Sequence, residues 1–177
     1  MPAELAEAAL DIVWLRDDFR LDDQPALAAA SGRPALFVYV HDETPENGRP
    51  PGGAAKWRLA QSLTAMESAL SGRGARLDIL LGTAEQTVLA LAAATNPKRV
   101  LWTRRYEGAA IALDARVKSA LRERGVEASS FNGRLLREPW ELSKAGGHPS
   151  GSFSAFWRRH QALGALPAPL PAPKRLV

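Results

Sequence analysis

Ile12-Val13-Trp14-Leu15-Arg16-Asp17-Asp18-Phe19-Arg20-Leu21-Asp22-Asp23 sets an unbroken apolar run directly against a dense cluster of charges. A short run of this kind, apolar without alternation, reads as a parallel strand buried on both faces. In open α/β sheets the carboxyl ends of such strands carry the ligand site. The charges from Arg16 onward therefore stand at the rim where a site would form. The same residues could instead form ion pairs that pin the loop, and the stretch alone leaves both readings open.

Working outward, the pattern repeats. Apolar runs at 12–16, 35–40, 76–81, 99–103 and 127–131 predict strands. Helices are predicted between them at 24–31, 54–71, from 83 or 84 up to Asn96-Pro97, and 108–124. Asp22 or Asp23 is placed to cap the first helix, with Gly32 just past its end. Leu59, Leu63, Met66 and Leu70 mark the buried stripe of the second, and Ile111, Leu113, Val117 and Leu121 that of the fourth. Pro97 forbids continuation of the third, and Gly125 stops the fourth. Right-handed βαβ connections then give an α/β fold, a doubly wound parallel sheet of about five strands with helices on both faces, Rossmann-like in architecture. The expected organisation is an amino-terminal extension over 1–10, the α/β domain over 11–132, and a carboxyl-terminal extension over 133–177. That extension passes through Gly146-Gly147-His148-Pro149-Ser150-Gly151 and ends in a Pro-Ala stretch that reads as an extended linker.

At 177 residues and 46% hydrophobic composition the chain can bury a core without staples. It has no cysteine, which excludes disulfides and thiolate metal sites and agrees with a reducing cytoplasm. His41, His148 and His160 lack any paired ligand spacing, so no metal site is expected. The start, Met1-Pro2-Ala3-Glu4-Leu5-Ala6-Glu7, is acidic and unlike a secretory signal, and no apolar run approaches bilayer length. Net charge is +4 but uneven, with ten acidic against three basic residues through Asn47 and a basic remainder. A basic surface can meet nucleic-acid phosphates. Here Arg104, Arg105, Arg116, Lys118, Arg122 and Arg124 lie at helical or helix-flanking positions without interleaved aromatics, and read as solvated charge.

The familiar catalytic and phosphate-binding motifs are missing. Gly48-Arg49-Pro50-Pro51-Gly52-Gly53 has the glycine spacing of a P-loop, but Ala54 stands where its lysine belongs. There is no Gly-x-Gly-x-x-Gly after the first strand and no Gly-x-Ser-x-Gly. No catalytic residues are assigned. Binding is expected instead, because the predicted strand ends converge on Arg16, Asp17, His41, Asp42, Arg104, Arg105, Tyr106 and Glu107, with Lys56 at the start of a helix above the same edge. A planar heteroaromatic ligand would stack on Tyr106 or Trp57 and offer its polar edge to Arg16 or Lys56. Alternatively, Tyr106 and Trp57 pack the loops. The five tryptophans read as packing residues, with Trp14 and Trp102 in buried strands.

The motif Trp14-Leu15-Arg16-Asp17-Asp18-Phe19-Arg20-Leu21 resembles the opening strand and loop of the DNA photolyase/cryptochrome family. Pro51-Gly52-Gly53-Ala54-Ala55-Lys56-Trp57-Arg58-Leu59 looks like its second helix, and Val100-Leu101-Trp102-Thr103-Arg104-Arg105-Tyr106-Glu107 like its fourth strand and loop. Phe131-Asn132-Gly133-Arg134-Leu135-Leu136 and Phe153-Ser154-Ala155-Phe156-Trp157-Arg158 complete the series in the right order.

The resemblance implies the amino-terminal α/β domain of a flavoprotein lyase for DNA repair, a deoxyribodipyrimidine photolyase, with a cryptochrome photoreceptor as the alternative. It also implies an antenna chromophore, a deazaflavin, FMN or folate. Folate-binding members carry an Asn-Glu pair soon after the position of Tyr106-Glu107, where this chain has Ala109-Ala110, so that mode of folate binding is weakened. FAD and the contacts to damaged DNA belong, by the same resemblance, to a helical domain absent from this chain, which makes the isolated chain inactive in repair. Phe153, Phe156 and Trp157 would dock on that domain or, in its absence, support a dimer. A stand-alone nucleotide-binding, regulatory or interaction module of the same fold is the reading from a different class.

Overall fold

The computed structural model describes residues 9–43, 50–143 and 151–177. Five strands, β1 (Asp11–Leu15), β2 (Ala35–His41), β3 (Leu77–Leu81), β4 (Arg99–Thr103) and β5 (Glu127–Phe131), form one sheet in the order β3-β2-β1-β4-β5. Every pairing is parallel, with Val13 of central β1 beside Phe37 on one flank and Leu101 on the other. The chain winds outward through β2 and β3, then returns to the far side of β1 for β4 and β5. That reversal puts the topological switch between β1 and β4.

Helices α1 (Pro25–Ala30), α2 (Gly53–Ser71), α3 (Ala84–Thr95) and α4 (Gly108–Glu123) fill the crossovers. On one face Ile12, Trp14, Val38, Val100 and Trp102 pack against Val88 of α3 and Leu113, Val117 and Leu121 of α4. On the other, Val13, Leu15, Phe37 and Leu101 pack against Leu27 of α1 and Met66 and Leu70 of α2. The alternation of side chains along each strand divides the core in this way. The expected doubly wound α/β sheet is the one observed.

Local chemistry differs from expectation at several points. Gln24 caps α1, its Oε1 accepting from the Ala26 amide at 2.9 Å. Asp23 adopts φ 50° instead and exchanges hydrogen bonds with Leu170. In α4 the buried stripe is Ala110, Leu113, Asp114, Val117 and Leu121, while Ile111, expected inward, is 52% exposed. In α2 only Met66 and Leu70 of the expected stripe are buried, because its first turns stand away from the sheet. Asn96 ends α3 in the left-handed conformation, with Pro97 behind it as expected.

The chain falls into two compact units, Met1–Gly133 with Leu170–Val177, and Arg134–Pro169. The last eight residues thus belong with the sheet. Leu176 is 1% exposed, its amide donates to Arg73 O at 3.0 Å, and the Ala35 amide donates to Val177 O at 2.8 Å. Arg73 Nε adds a bond to Pro173 O at 2.9 Å. The Pro-Ala stretch forms neither helix nor strand, and the residues from Leu170 on are a strap on the sheet unit. The smaller unit holds α5 (Pro139–Leu142) and α6 (Phe153–Ala162), with a capping box between Glu138 and Glu141. On α6, Phe153 stacks on Trp157 at 6.2 Å and Trp157 on His160 at 5.3 Å. Glycines 146 and 147 and His148 lie outside the described residues, as do 1–8 and the first two residues, 48 and 49, of the stretch read against the P-loop. Among the described residues no helix is long and apolar enough to cross a membrane.

Candidate functional site

A cleft of about 370 Å³ opens at the carboxyl ends of β1, β2 and β4, roofed by the first turns of α3 and α4. Its walls include Trp14, Arg16, Asp17, Tyr39, Asp42, Arg105 and Glu107, together with Ala84, Gly108, Ala109 and Ala110. This is the crevice that the strand order generates, and it is large enough for a planar ring system.

The inner wall is a buried ion pair. Arg16 is 6% exposed; its Nη1 and Nη2 donate to Asp114 at 2.8 and 3.1 Å, and Nη2 also donates to Thr103 O. The guanidinium lies 4.7 Å from the centre of the Trp14 ring. Trp102 Nε1 donates at 2.9 Å to Asp114 Oδ2, the oxygen that also accepts from Arg16 Nη2. Asp114 is therefore held by one cation and one indole, and it neutralises Arg16. Arg16 shapes the cleft and does not offer it an unbalanced positive charge. Beneath the loop, Asp18 accepts from the Arg16 amide at 2.9 Å and from Gln24 Nε2, so both ion pairing and hydrogen bonding pin the rim.

The outer walls carry the chain's own carboxylates near helix starts. Asp42 Oδ2 accepts from the Ala84 amide at 2.8 Å, occupying the amino terminus of α3. Glu107 is the residue that opens α4, and its Oε2 accepts from the Tyr106 amide at 3.1 Å. The Tyr39 hydroxyl is raised from its ordinary 10.0, by burial first and by Asp17 second, with Arg105 opposing. Beyond the cleft, Lys118 donates to Ser130 Oγ at 2.7 Å, and its amine is lowered from 10.5 by burial and then by Arg104.

Of the nine residues expected at this edge, Arg16, Asp17, Asp42, Arg105 and Glu107 line the cleft, whereas Arg104 hydrogen-bonds to Ser130 of β5 at 2.7 Å and is not among its walls. His41 lines a shallower adjoining hollow with Asp42, Glu43 and Leu81. Lys56 and Tyr106 line neither. Lys56 sits on the projecting start of α2, where Trp57 is 68% exposed, and Tyr106 hydrogen-bonds to Asn132 at 3.3 Å. A ligand in the cleft would meet Trp14 and Tyr39, not Trp57 or Tyr106. Asp114 escaped the sequence reading because a lone acid in a charged helix reads as solvated. Its position one turn beyond Ala110 and three residues before Val117 was the available signal.

With this geometry in view, likeness to known proteins becomes informative. The family model described as DNA photolyase matches residues 11–174. The chain belongs to the DNA photolyase family. It is 38% identical over 168 residues to the deoxyribodipyrimidine photo-lyase of Agrobacterium fabrum, covering 94% of this chain and 34% of that protein. It is 34% identical to cryptochrome-2 of Arabidopsis thaliana, over 94% of this chain and 28% of that one. Its fold matches a crystal structure of a bacterial class III photolyase from Agrobacterium tumefaciens with a TM-score of 0.86 and 37% identity, covering 97% of this chain and 35% of that chain. The chain thus spans about a third of the length of these photolyase relatives. Within the photolyase family the fold is that of the amino-terminal α/β domain, and flavins and antenna chromophores are the family's cofactors.

Proposed function

We propose that this chain is the antenna-type α/β domain of a deoxyribodipyrimidine photolyase, and that its cleft holds a planar light-harvesting chromophore. The observation that carries this reading is the cleft at the β1/β4 switch, walled by Trp14 and Tyr39 and roofed by the small residues Gly108, Ala109 and Ala110. Small residues there let a flat ring approach the α4 backbone. Ala109 and Ala110 offer no side-chain hydrogen bond, which favours a deazaflavin or flavin over folate held by an Asn-Glu pair. Light-driven splitting of pyrimidine dimers in DNA then belongs to a longer protein whose helical domain supplies FAD. On this reading the exposed rings of Phe153 and Trp157 on α6 serve as a docking face for that domain, and would favour dimers of the isolated chain at high concentration. The absence of cysteine suits the reducing cytoplasm of a cell that keeps its flavin reduced.

The test compares two proteins. Dimer-containing DNA is illuminated with FAD and reductant, either with this chain alone or with a protein of the relatives' full length that contains it. Repair is expected only in the second case. Repair by the chain alone, or none by the longer protein, refutes the proposal.

A further inference from the structure

We propose that the cleft selects a planar ligand with an uncharged tail over its phosphorylated counterpart, with Asp17, Asp42 and Glu107 as the residues that set this preference. The inference rests on the reading of the cleft as a ligand site and goes on to the chemical class of the ligand.

Doubly wound folds usually hold a phosphate where helix amino termini face the switch crevice, because unpaired amides and the helix dipole attract negative charge. Here α3 and α4 both begin at the cleft, yet each start carries a carboxylate of the chain itself. Asp42 accepts from the Ala84 amide at the head of α3. Glu107 stands at the head of α4, next to Gly108, with its carboxylate turned to the Tyr106 amide and bonded to no amide of α4, so it opposes a phosphate there by charge alone. Asp17 adds a third carboxylate at the end of β1. Against these stand Arg105 and Arg16, and the charge of Arg16 is matched by Asp114 at 2.8 Å.

Magnitudes decide the sign. A helix start is worth about half a positive charge, and that of α3 is opposed by a full carboxylate. The half charges of α3 and α4 and the one charge of Arg105 come to about two positive charges, against the three carboxylates of Asp17, Asp42 and Glu107. The cleft is therefore acidic overall. The Tyr39 hydroxyl is raised chiefly by burial, and the carboxylates of Asp17 and Asp42 raise it further while Arg105 opposes them. A phosphate monoester brings roughly two negative charges at neutral pH. The walls that admit its ring system repel its tail.

Riboflavin and FMN share one ring system and differ only by the terminal phosphate, so they isolate the effect. Calorimetric titration of the chain at low salt should give riboflavin an affinity roughly tenfold higher than FMN. The gap should narrow at high salt, where screening weakens the repulsion, and in Asp17→Asn and Glu107→Gln, which keep size and hydrogen bonding but remove charge. FMN binding as tightly as riboflavin or more tightly overturns the selectivity while leaving the cleft as a ligand site. A gap that persists unchanged in both variants and in high salt also overturns it. Failure of both compounds to bind overturns the cleft reading and the selectivity with it.

Discussion

Removing the Asp114 carboxylate tests the account of the cleft wall most directly. In Asp114→Ala, Arg16 keeps its charge in a site where it is 6% exposed, and loses both bonds to Asp114. Trp102 Nε1, on a fully buried indole, loses its acceptor as well. Breaking a buried pair from one side costs about 3–5 kcal/mol, because the surviving charge is uncompensated. The stranded indole N–H adds about 1 kcal/mol. For a chain of this size the melting temperature should fall by on the order of 10 °C. The double variant Arg16→Met/Asp114→Leu removes both charges and fills the space with apolar atoms, leaving only the indole N–H and the Thr103 carbonyl to find new partners. It should lie within about 2 kcal/mol of the parent, so the coupling between the positions exceeds about 2 kcal/mol. Urea unfolding followed by far-ultraviolet circular dichroism measures all four corners of the cycle. A loss below about 1 kcal/mol in Asp114→Ala, or a double variant that costs the sum of the two single ones, would refute the argument.

Other parts of the structure give independent expectations. Leu176→Ala should cost about 2–5 kcal/mol in the same urea assay if the carboxyl-terminal strap is part of the core, and a negligible change would show it is not. Gly82 has φ 136°, and an added Cβ would lie 2.7 Å from Thr87 Oγ1; Gly82→Ala should lower stability by roughly 1–3 kcal/mol, and an unchanged melting point would contradict the strain. The Lys118 amine is lowered in the folded chain by burial and then by Arg104, so folding favours its neutral form. Stability should rise as pH climbs from the folded value toward 10.5, and Lys118→Met should lack that rise. Tyr39 acts in the opposite sense, because its raised hydroxyl makes stability fall above 10.0, so the difference between parent and variant in thermal melts is the informative quantity. Equal pH profiles for the two would exclude Lys118 as the cause.

Four of the strands were legible as short, mostly apolar runs, whereas β5, Glu127-Ala128-Ser129-Ser130-Phe131, is more polar; the observed limits of all five lie within one residue of the predicted ones at either end. Rim residues followed from the same pattern, since a strand buried on both faces must end where charges begin. Sequence periodicity was less informative where packing covers only part of a helix. The stripe of α2 runs its full length in sequence, yet the sheet buries only its second half, and Lys56 and Trp57 at its exposed start are not among the walls of the cleft. Ile111 reads as inward by its residue type and Asp114 draws no reading, because composition alone does not say how α4 is turned against the sheet. The geometry of α4 turns the isoleucine outward and puts the acid beneath Arg16. Nor could hydrophobicity foretell the strap, because Leu176 is one apolar residue in a Pro-Ala tail and its burial depends on backbone bonds to Arg73 and Ala35.

The polarity of the cleft follows from how its frame is held together. A parallel sheet must start its helices at the carboxyl edge, and each start leaves amides that need acceptors. This chain meets that need at α3 with Asp42, and it opens α4 with Glu107. A fold of the same topology that leaves such amides to a ligand gains a phosphate site; one that supplies carboxylates near its helix starts gains stability without ligand and loses that site. Arg16 follows the same logic. Its charge, the most obvious candidate for anion binding in the sequence, is matched by Asp114 to hold the wall against Trp14 and Trp102. What the cleft presents is the ring of Tyr39 beside a nearly buried Trp14, a roof of small residues and three carboxylates. The proposed preference for an uncharged tail rests on those surfaces, and Asp42, whose bond to the Ala84 amide helps to hold α3, is one of the groups that would set it.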